Sequence, residues 1–178
     1  MNDYTVVVDA GSSRLKFSVY RRDEAGPWKR DVRGQVEGLG TRPTFSAKNG
    51  ASERVFDAVL DRSVTDARGA LSFVANWLRE RYPGAHVCGV GHRVVHGGAE
   101  FSSPTIVTPD VLEKLRTLIP LAPLHQPYNL AAIEAVWERL PGARQVACFD
   151  TSFHRGQPDV AQLVSLRSEI RDAGVQHD

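Results

Sequence analysis

The feature that most restricts the fold of this chain is the stretch from residue 4 to residue 21, YTVVVDAGSSRLKFSVYR. Val6, Val7 and Val8 form a continuous β-branched run, which reads as a strand buried on both faces. Gly11, Ser12 and Ser13 are turn chemistry. Beyond them Leu15, Phe17 and Val19 alternate with Lys16, Ser18 and Tyr20, the period of a strand with one apolar face. Together the two segments read as a β-hairpin.

More strand-like pieces follow at WKRDVRGQVEGL and TFSAK, punctuated by Gly26-Pro27 and by Gly38 to Pro43. The pattern then changes. Ala67, Ala70, Leu71, Val74 and Leu78 make a helical stripe within 65–81, with Thr65 as N-cap and Pro83-Gly84 as the stop. HVCGVGHRVVH reads as a strand running into Gly97-Gly98. Thr108-Pro109 opens a second helix, with Val111, Leu112, Leu115, Leu118 and Ile119 on its apolar face. The segment around Pro120, Pro123 and Pro127 reads as a rigid loop leading to a third helix over 129–140. QVACF is a strand that delivers Asp150. A weak helical piece precedes Gly174. Hairpins followed by alternating strands and helices predict an α/β domain with a mixed sheet. In such sheets ligands gather beyond the carboxyl ends of strands, where Asp9, Arg93 and Asp150 are expected.

Charge narrows the partners. With 22 basic and 21 acidic residues in 178, the net charge is +1, so no basic excess points to nucleic acid. No apolar run approaches the roughly 18 residues of a membrane span, and MNDYTVVVDAGSS lacks the basic region of a signal peptide. Cys88 and Cys148 sit in apolar runs and read as buried reduced thiols, which suits the cytoplasm.

Four segments carry candidate chemistry. In the first, Asp9 suits a hydrated Mg²⁺, the Gly11–Ser12 turn offers amides and a hydroxyl to phosphate, and Lys16 adds a point charge. It is not a P-loop, because the Gly-x4-Gly-Lys spacing is absent. An ordinary hairpin turn accounts for the same residues. In GVGHRVVHGG, Arg93 has the rigid fork that matches phosphate or carboxylate, and a strand-end salt bridge is its other reading. His92 and His96 lie roughly 13 Å apart along a strand, too far to share a zinc ion. In the proline-rich segment, Leu124 could wall a small pocket and His125 donate a hydrogen bond, or the whole could be a packed connector. In ACFDTSFH, Asp150 is suited to orient a nucleophile, take a proton or bind metal through water, or simply to cap a turn. A Ser–His–Asp hydrolase lacks its Gly-x-Ser-x-Gly elbow.

Taken in order, VVVDAGSSRLKFSVY, GVGHRVVHGG, LAPLHQPYNLAAI and ACFDTSFH resemble the acetate kinase family. The resemblance covers the chain from residue 5 to about residue 158. It implies a ribonuclease-H-like domain of the sugar kinase/Hsp70/actin superfamily over 1–150, truncated and lacking its C-terminal closing elements, with 151–178 the truncated start of the passage to a second domain. It also implies reversible, Mg²⁺-dependent phosphoryl transfer between ATP and acetate, giving acetyl phosphate, with propionate as a poorer alternative. Gly11, Ser12 and Lys16 then match the ATP-phosphate residues, Asp9 the metal side, Arg93 the arginine on the substrate, Val95 and Leu124 the lining around the methyl group, and Asp150 the active-site aspartate. A homodimer is the implied assembly. Three positions depart from the family pattern: Asp9 replaces Asn, Arg14 replaces Ser, and Gln157 replaces Met. Family members are more than twice as long, so the resemblance implies that the nucleotide-binding half lies outside this chain and that the chain alone is inactive. The alternative is a non-catalytic domain that binds a partner.

Overall fold

The computed structural model describes residues 3–23 and 26–155. The sequence-predicted helix before Gly174, position 157 and most of the expected 151–178 region lie outside the described residues. Strands β1 (Asp3–Ala10) and β2 (Arg14–Arg22) form the expected hairpin, with Asp9 opposite Lys16 and Ala10 opposite Leu15. Strands β3 (Lys29–Glu37), β4 (Thr44–Asn49) and β5 (Arg54–Val59) continue the antiparallel meander. Helix α1 (Ala67–Arg81) then leads to β6 (His86–Val94), which returns beside β1 in parallel. After a two-residue strand, β7 (Thr105–Ile106), come α2 (Pro109–Thr117), a 3-10 turn at Ile119–Leu121, α3 (Gln126–Arg139), β8 (Arg144–Phe149) and α4 (Asp150–Arg155). The eight strands form one mixed sheet in the order β5-β4-β3-β2-β1-β6-β8-β7. The α/β class with a mixed sheet is therefore as expected.

One face of the sheet carries the core. Val8, Ala10, Leu15, Phe17, Val19, Val32, Val36 and Phe45 pack with Ala67, Ala70, Leu71, Val74 and Trp77 of α1 and with Ala132, Ala135 and Val136 of α3. A second cluster joins Val94, Ala147 and Phe149 to Leu112 and Leu115 of α2 and to Leu130 and Ile133 of α3. Burial of these apolar faces is the main stabilising term.

Several sequence expectations need correction. Val7 is 41% exposed, because α1, α2 and α3 cover only the face toward which Val6 and Val8 point. The Val-Val-Val run is thus not buried on both faces. The same alternation exposes Cys148, while its neighbours Ala147 and Phe149 are buried. Cys88 is half-buried, and both thiols are free. Asp66, not Thr65, caps α1, its carboxylate accepting from the Gly69 N–H at 2.8 Å. Thr108 caps α2 as expected, accepting from the Val111 N–H at 3.2 Å. That helix stops at Thr117, so Leu118 and Ile119 lie beyond it. Helix α3 starts three positions before Asn129, because Pro127 falls in its first turn, where a missing N–H costs nothing.

Candidate active site

The parallel pairing of β1, β6 and β8 brings their carboxyl ends to one edge of the sheet. Asp9 comes from the end of β1, Arg93 from the end of β6, and Asp150 from the residue that follows β8. The three side chains meet. Arg93 donates from Nε to Asp150 Oδ1 at 3.0 Å and from Nη2 to Asp150 Oδ2 at 2.6 Å, a bidentate pair. Its Nη1 donates to Asp9 Oδ1 at 3.1 Å. The hydrogen bonds to Asp150, with the charge of both carboxylates, raise the guanidinium pKa above its ordinary value, so Arg93 is a permanent cation. The side chain is 52% exposed, against 32% for Asp9 and 35% for Asp150. Ion pairs this exposed stabilise a fold by about 0–1 kcal/mol. The fork can therefore be traded to another oxyanion at small cost.

The phosphate-like turn stands beside this cluster. The Gly11 N–H donates to the Arg14 carbonyl at 2.8 Å, closing the turn, and Ser12 is exposed on it. Lys16, directly across from Asp9, is half-buried in a cavity of about 330 Å³ shared with Ser18, Arg33, Gln35, Ser46 and Lys48. Among the described residues, no acidic side chain lines that cavity. Val95 is half-buried in the segment after β6, whereas Leu124 is 73% exposed. Among the described residues, the apolar lining expected of these two is open to solvent on the Leu124 side.

Two residues that the motifs did not single out hold the site together. Asn129 of α3 is buried and bridges two strand ends. Its Nδ2 donates to the Ala10 carbonyl at 2.7 Å, and its Oδ1 accepts from the Val95 N–H at 3.0 Å. Gln126, fully buried, accepts from the His96 N–H at 3.2 Å and donates to the His96 carbonyl at 3.0 Å. Thr151 Oγ1 adds a bond from the Gly97 N–H at 3.1 Å. These bonds fix the backbone immediately after Arg93. The only sequence signal for them was polar side chains at otherwise apolar helix positions.

His92 is a core residue. Its Nε2 lies 2.6 Å from Gln145 Oε1, and burial pushes its pKa down to about 4, so it is neutral at physiological pH. Among the described residues, no group of three or more His, Cys, Asp or Glu side chains is placed to hold a metal by itself. Asp9 and Asp150 nonetheless have the donor chemistry of a Mg²⁺ site completed by water and phosphate oxygens. No helix of the described residues is long and apolar enough to cross a membrane.

Known proteins with the same organisation are recognisable. The model of the acetokinase family matches residues 4–177. An acetate kinase of Rhodopseudomonas palustris (strain TIE-1) is 40% identical over 177 residues, covering 99% of this chain and 44% of its own length. The crystal structure of Porphyromonas gingivalis acetate kinase superposes with a TM-score of 0.80 at 31% identity, covering 98% of this chain and 44% of that one. A propionate kinase from Francisella tularensis superposes with a TM-score of 0.79 at 27% identity over 98% of this chain and 44% of that one. The chain thus spans less than half the length of the relatives it matches.

Proposed function

The chain belongs to the acetokinase family, and on that premise we propose that it forms one wall of a cleft for reversible phosphoryl transfer between ATP and a short carboxylate. The observation that carries this reading is the Arg93 fork held between Asp9 and Asp150 at three adjoining strand ends. In the reaction a carboxylate oxygen of acetate bonds to the γ-phosphorus of ATP, the bond from that phosphorus to the β,γ-bridging oxygen breaks, and ADP leaves with the electron pair. The protein's task is positioning and charge neutralisation.

Arg93 exchanges a carboxylate of the chain for the substrate carboxylate or the transferring phosphoryl oxygens. Asp150 keeps the fork in plane through its bidentate pair, which makes its direction fixed even in the absence of ligand. Gly11, Ser12 and Lys16 face the ATP phosphates. Asp9, with Asp150 near it, would hold Mg²⁺ with water and phosphate oxygens completing the shell; the ion supplies charge neutralisation on the phosphates. Val95 and Leu124 border the methyl group. A small apolar border of this kind separates acetate from propionate by about 1–3 kcal/mol, so propionate is the second substrate. The proposal places the reaction in the cytoplasm and includes a homodimer.

Arg93 is half exposed, and developing charge is stabilised well only where water is excluded. The 178-residue chain by itself therefore forms no acetyl phosphate, and the remaining length of its relatives supplies the opposite wall. A hydroxamate assay on the purified chain with ATP, Mg²⁺ and acetate tests this. No hydroxamate is expected. Turnover that Asp150→Asn abolishes would sustain the site but overturn the need for a second wall. Turnover indifferent to both Arg93→Gln and Asp150→Asn would overturn the assignment.

The face of the sheet away from α1–α3, where Val7 and Cys148 are exposed, favours a second reading as a non-catalytic domain that docks a partner. Gel filtration of the chain tests this second reading: a compact monomer at all concentrations argues against docking.

A further inference from the structure

On the opposite side of β1 from the Arg93 cluster, the described residues leave a gap in the core. A cavity of about 190 Å³ lies between the sheet and the helices α1 and α3. Tyr4, Val6, Leu78, Tyr82, Val87 and Leu140 line it and are only half-buried, although all pack on the main core. The opening is kept by small residues, notably Ala75 and Ala135, where larger side chains would close the gap between the helices. Protein interiors are normally close-packed, and an apolar cavity of about 150 Å³ suffices to take up benzene.

The charged side chains that line this cavity are both arginines, and the nearby Asp31 carboxylate is taken up by the hydroxyl of Tyr82, another lining residue. Among the described residues, Arg79 and Arg139 are the lining side chains that carry charge at neutral pH, and no carboxylate lines the cavity. Arg79 makes no ion pair among the described residues; its Nη1 donates only to Asn76 Oδ1 at 3.2 Å. Arg139 donates to the Ala135 carbonyl at 3.3 Å and to the Ser72 hydroxyl, and its nearest carboxylate, Glu138, is 3.8 Å away and already engaged by Arg68.

We propose that this cavity is a second ligand site, separate from the Arg93 cluster, for a straight-chain aliphatic carboxylate of about eight carbons, its tail between α1, α3 and the sheet and its head on Arg79 and Arg139. The volume is below the 300–1,000 Å³ usual for drug-sized ligands, which suits a short aliphatic tail. The two guanidinium groups select the anion.

Calorimetric titration of the 178-residue chain with a series of sodium carboxylates tests the site. Saturable one-site binding is expected. Affinity should rise about fourfold per methylene from butyrate to octanoate, the factor for burying a CH₂, and stop rising near decanoate as the cavity fills. Octylamine should bind at least tenfold more weakly than octanoate, and excess acetate should not displace octanoate. Ala75→Leu fills the cavity from a half-buried helix position and should weaken octanoate at least tenfold. Arg79→Gln, at an exposed position, should weaken octanoate severalfold and leave octanol unchanged. Non-saturating heats, equal affinity for octylamine, or displacement by acetate would each overturn the proposal. So would full affinity in an Ala75→Leu protein that still unfolds cooperatively. If Ala75→Leu does not fold, the octanoate–octanol comparison in Arg79→Gln decides.

Discussion

Replacing Asn129 by Ala removes the bridge between the end of β1 and the segment after Arg93. Two backbone groups lose their partner: the Ala10 carbonyl, bonded at 2.7 Å, and the Val95 N–H, bonded at 3.0 Å. Asn129 is 4% exposed, so water cannot readily replace the amide. An unsatisfied buried polar group costs about 1–3 kcal/mol, and two give a loss of about 2–6 kcal/mol. Part of this is recovered if the emptied site admits a water molecule, which places the expectation near 3 kcal/mol. Urea unfolding of both proteins measures it as a lower midpoint at unchanged slope. Asn129→Asp separates the two bonds, since a carboxylate still accepts from Val95 but gives nothing to the Ala10 carbonyl. It should be at least as destabilised as the alanine variant at pH 7. A loss below about 0.5 kcal/mol in Asn129→Ala, the size typical of surface changes, would refute the reasoning that this side chain sets the geometry of the site.

Acid should destabilise the protein through His92. Its folded pKa, about 4, lies below the ordinary 6.5, so the unfolded state binds the proton more readily. The stability held above pH 6.5 is lost as pH falls toward 4, by on the order of 3 kcal/mol. His92→Gln should flatten that part of the urea-midpoint profile, and an unchanged slope would refute it. Gly97→Ala should unfold at a lower temperature, because a Cβ there would stand 2.5 Å from the Phe101 carbonyl oxygen and 2.9 Å from the Phe149 ring; a cost of about 1–3 kcal/mol is expected, checked by calorimetry. Asp66→Ala should cost about 1 kcal/mol by loss of the α1 cap, seen in the same melt.

The parts of the fold legible in the sequence were those with a strong period or clear punctuation. Leu15, Phe17 and Val19 marked β2, and Thr108-Pro109 marked the start of α2. Strand β5, RVFDAV, escaped notice because it is an edge strand whose residues are all exposed or half-buried, which leaves no apolar alternation to read. β7 has two residues and exists only through its pairing with β8. The exposure of Val7 and Cys148 depended on which face of the sheet α1–α3 cover, and a local apolar run does not record that. At the site, Asp9, Arg93 and Asp150 were readable as strand-end polar residues, and the structure brings them together. Asn129 and Gln126 were not, because their partners at Ala10, Val95 and His96 are 30 or more positions away.

Under the proposed function, the Arg93 fork, poised between Asp9 and Asp150, is the group that receives the acyl phosphate. The most direct test follows the Arg93 Nε–H resonance of ¹⁵N-labelled 178-residue chain during titration with acetyl phosphate in the presence of Mg²⁺. A saturable shift of that resonance, accompanied by the Gly11 and Ser12 amides and abolished in Asp150→Asn, is the expected result. An Arg93 resonance that stays fixed while acetyl phosphate saturates amides elsewhere would contradict the claim.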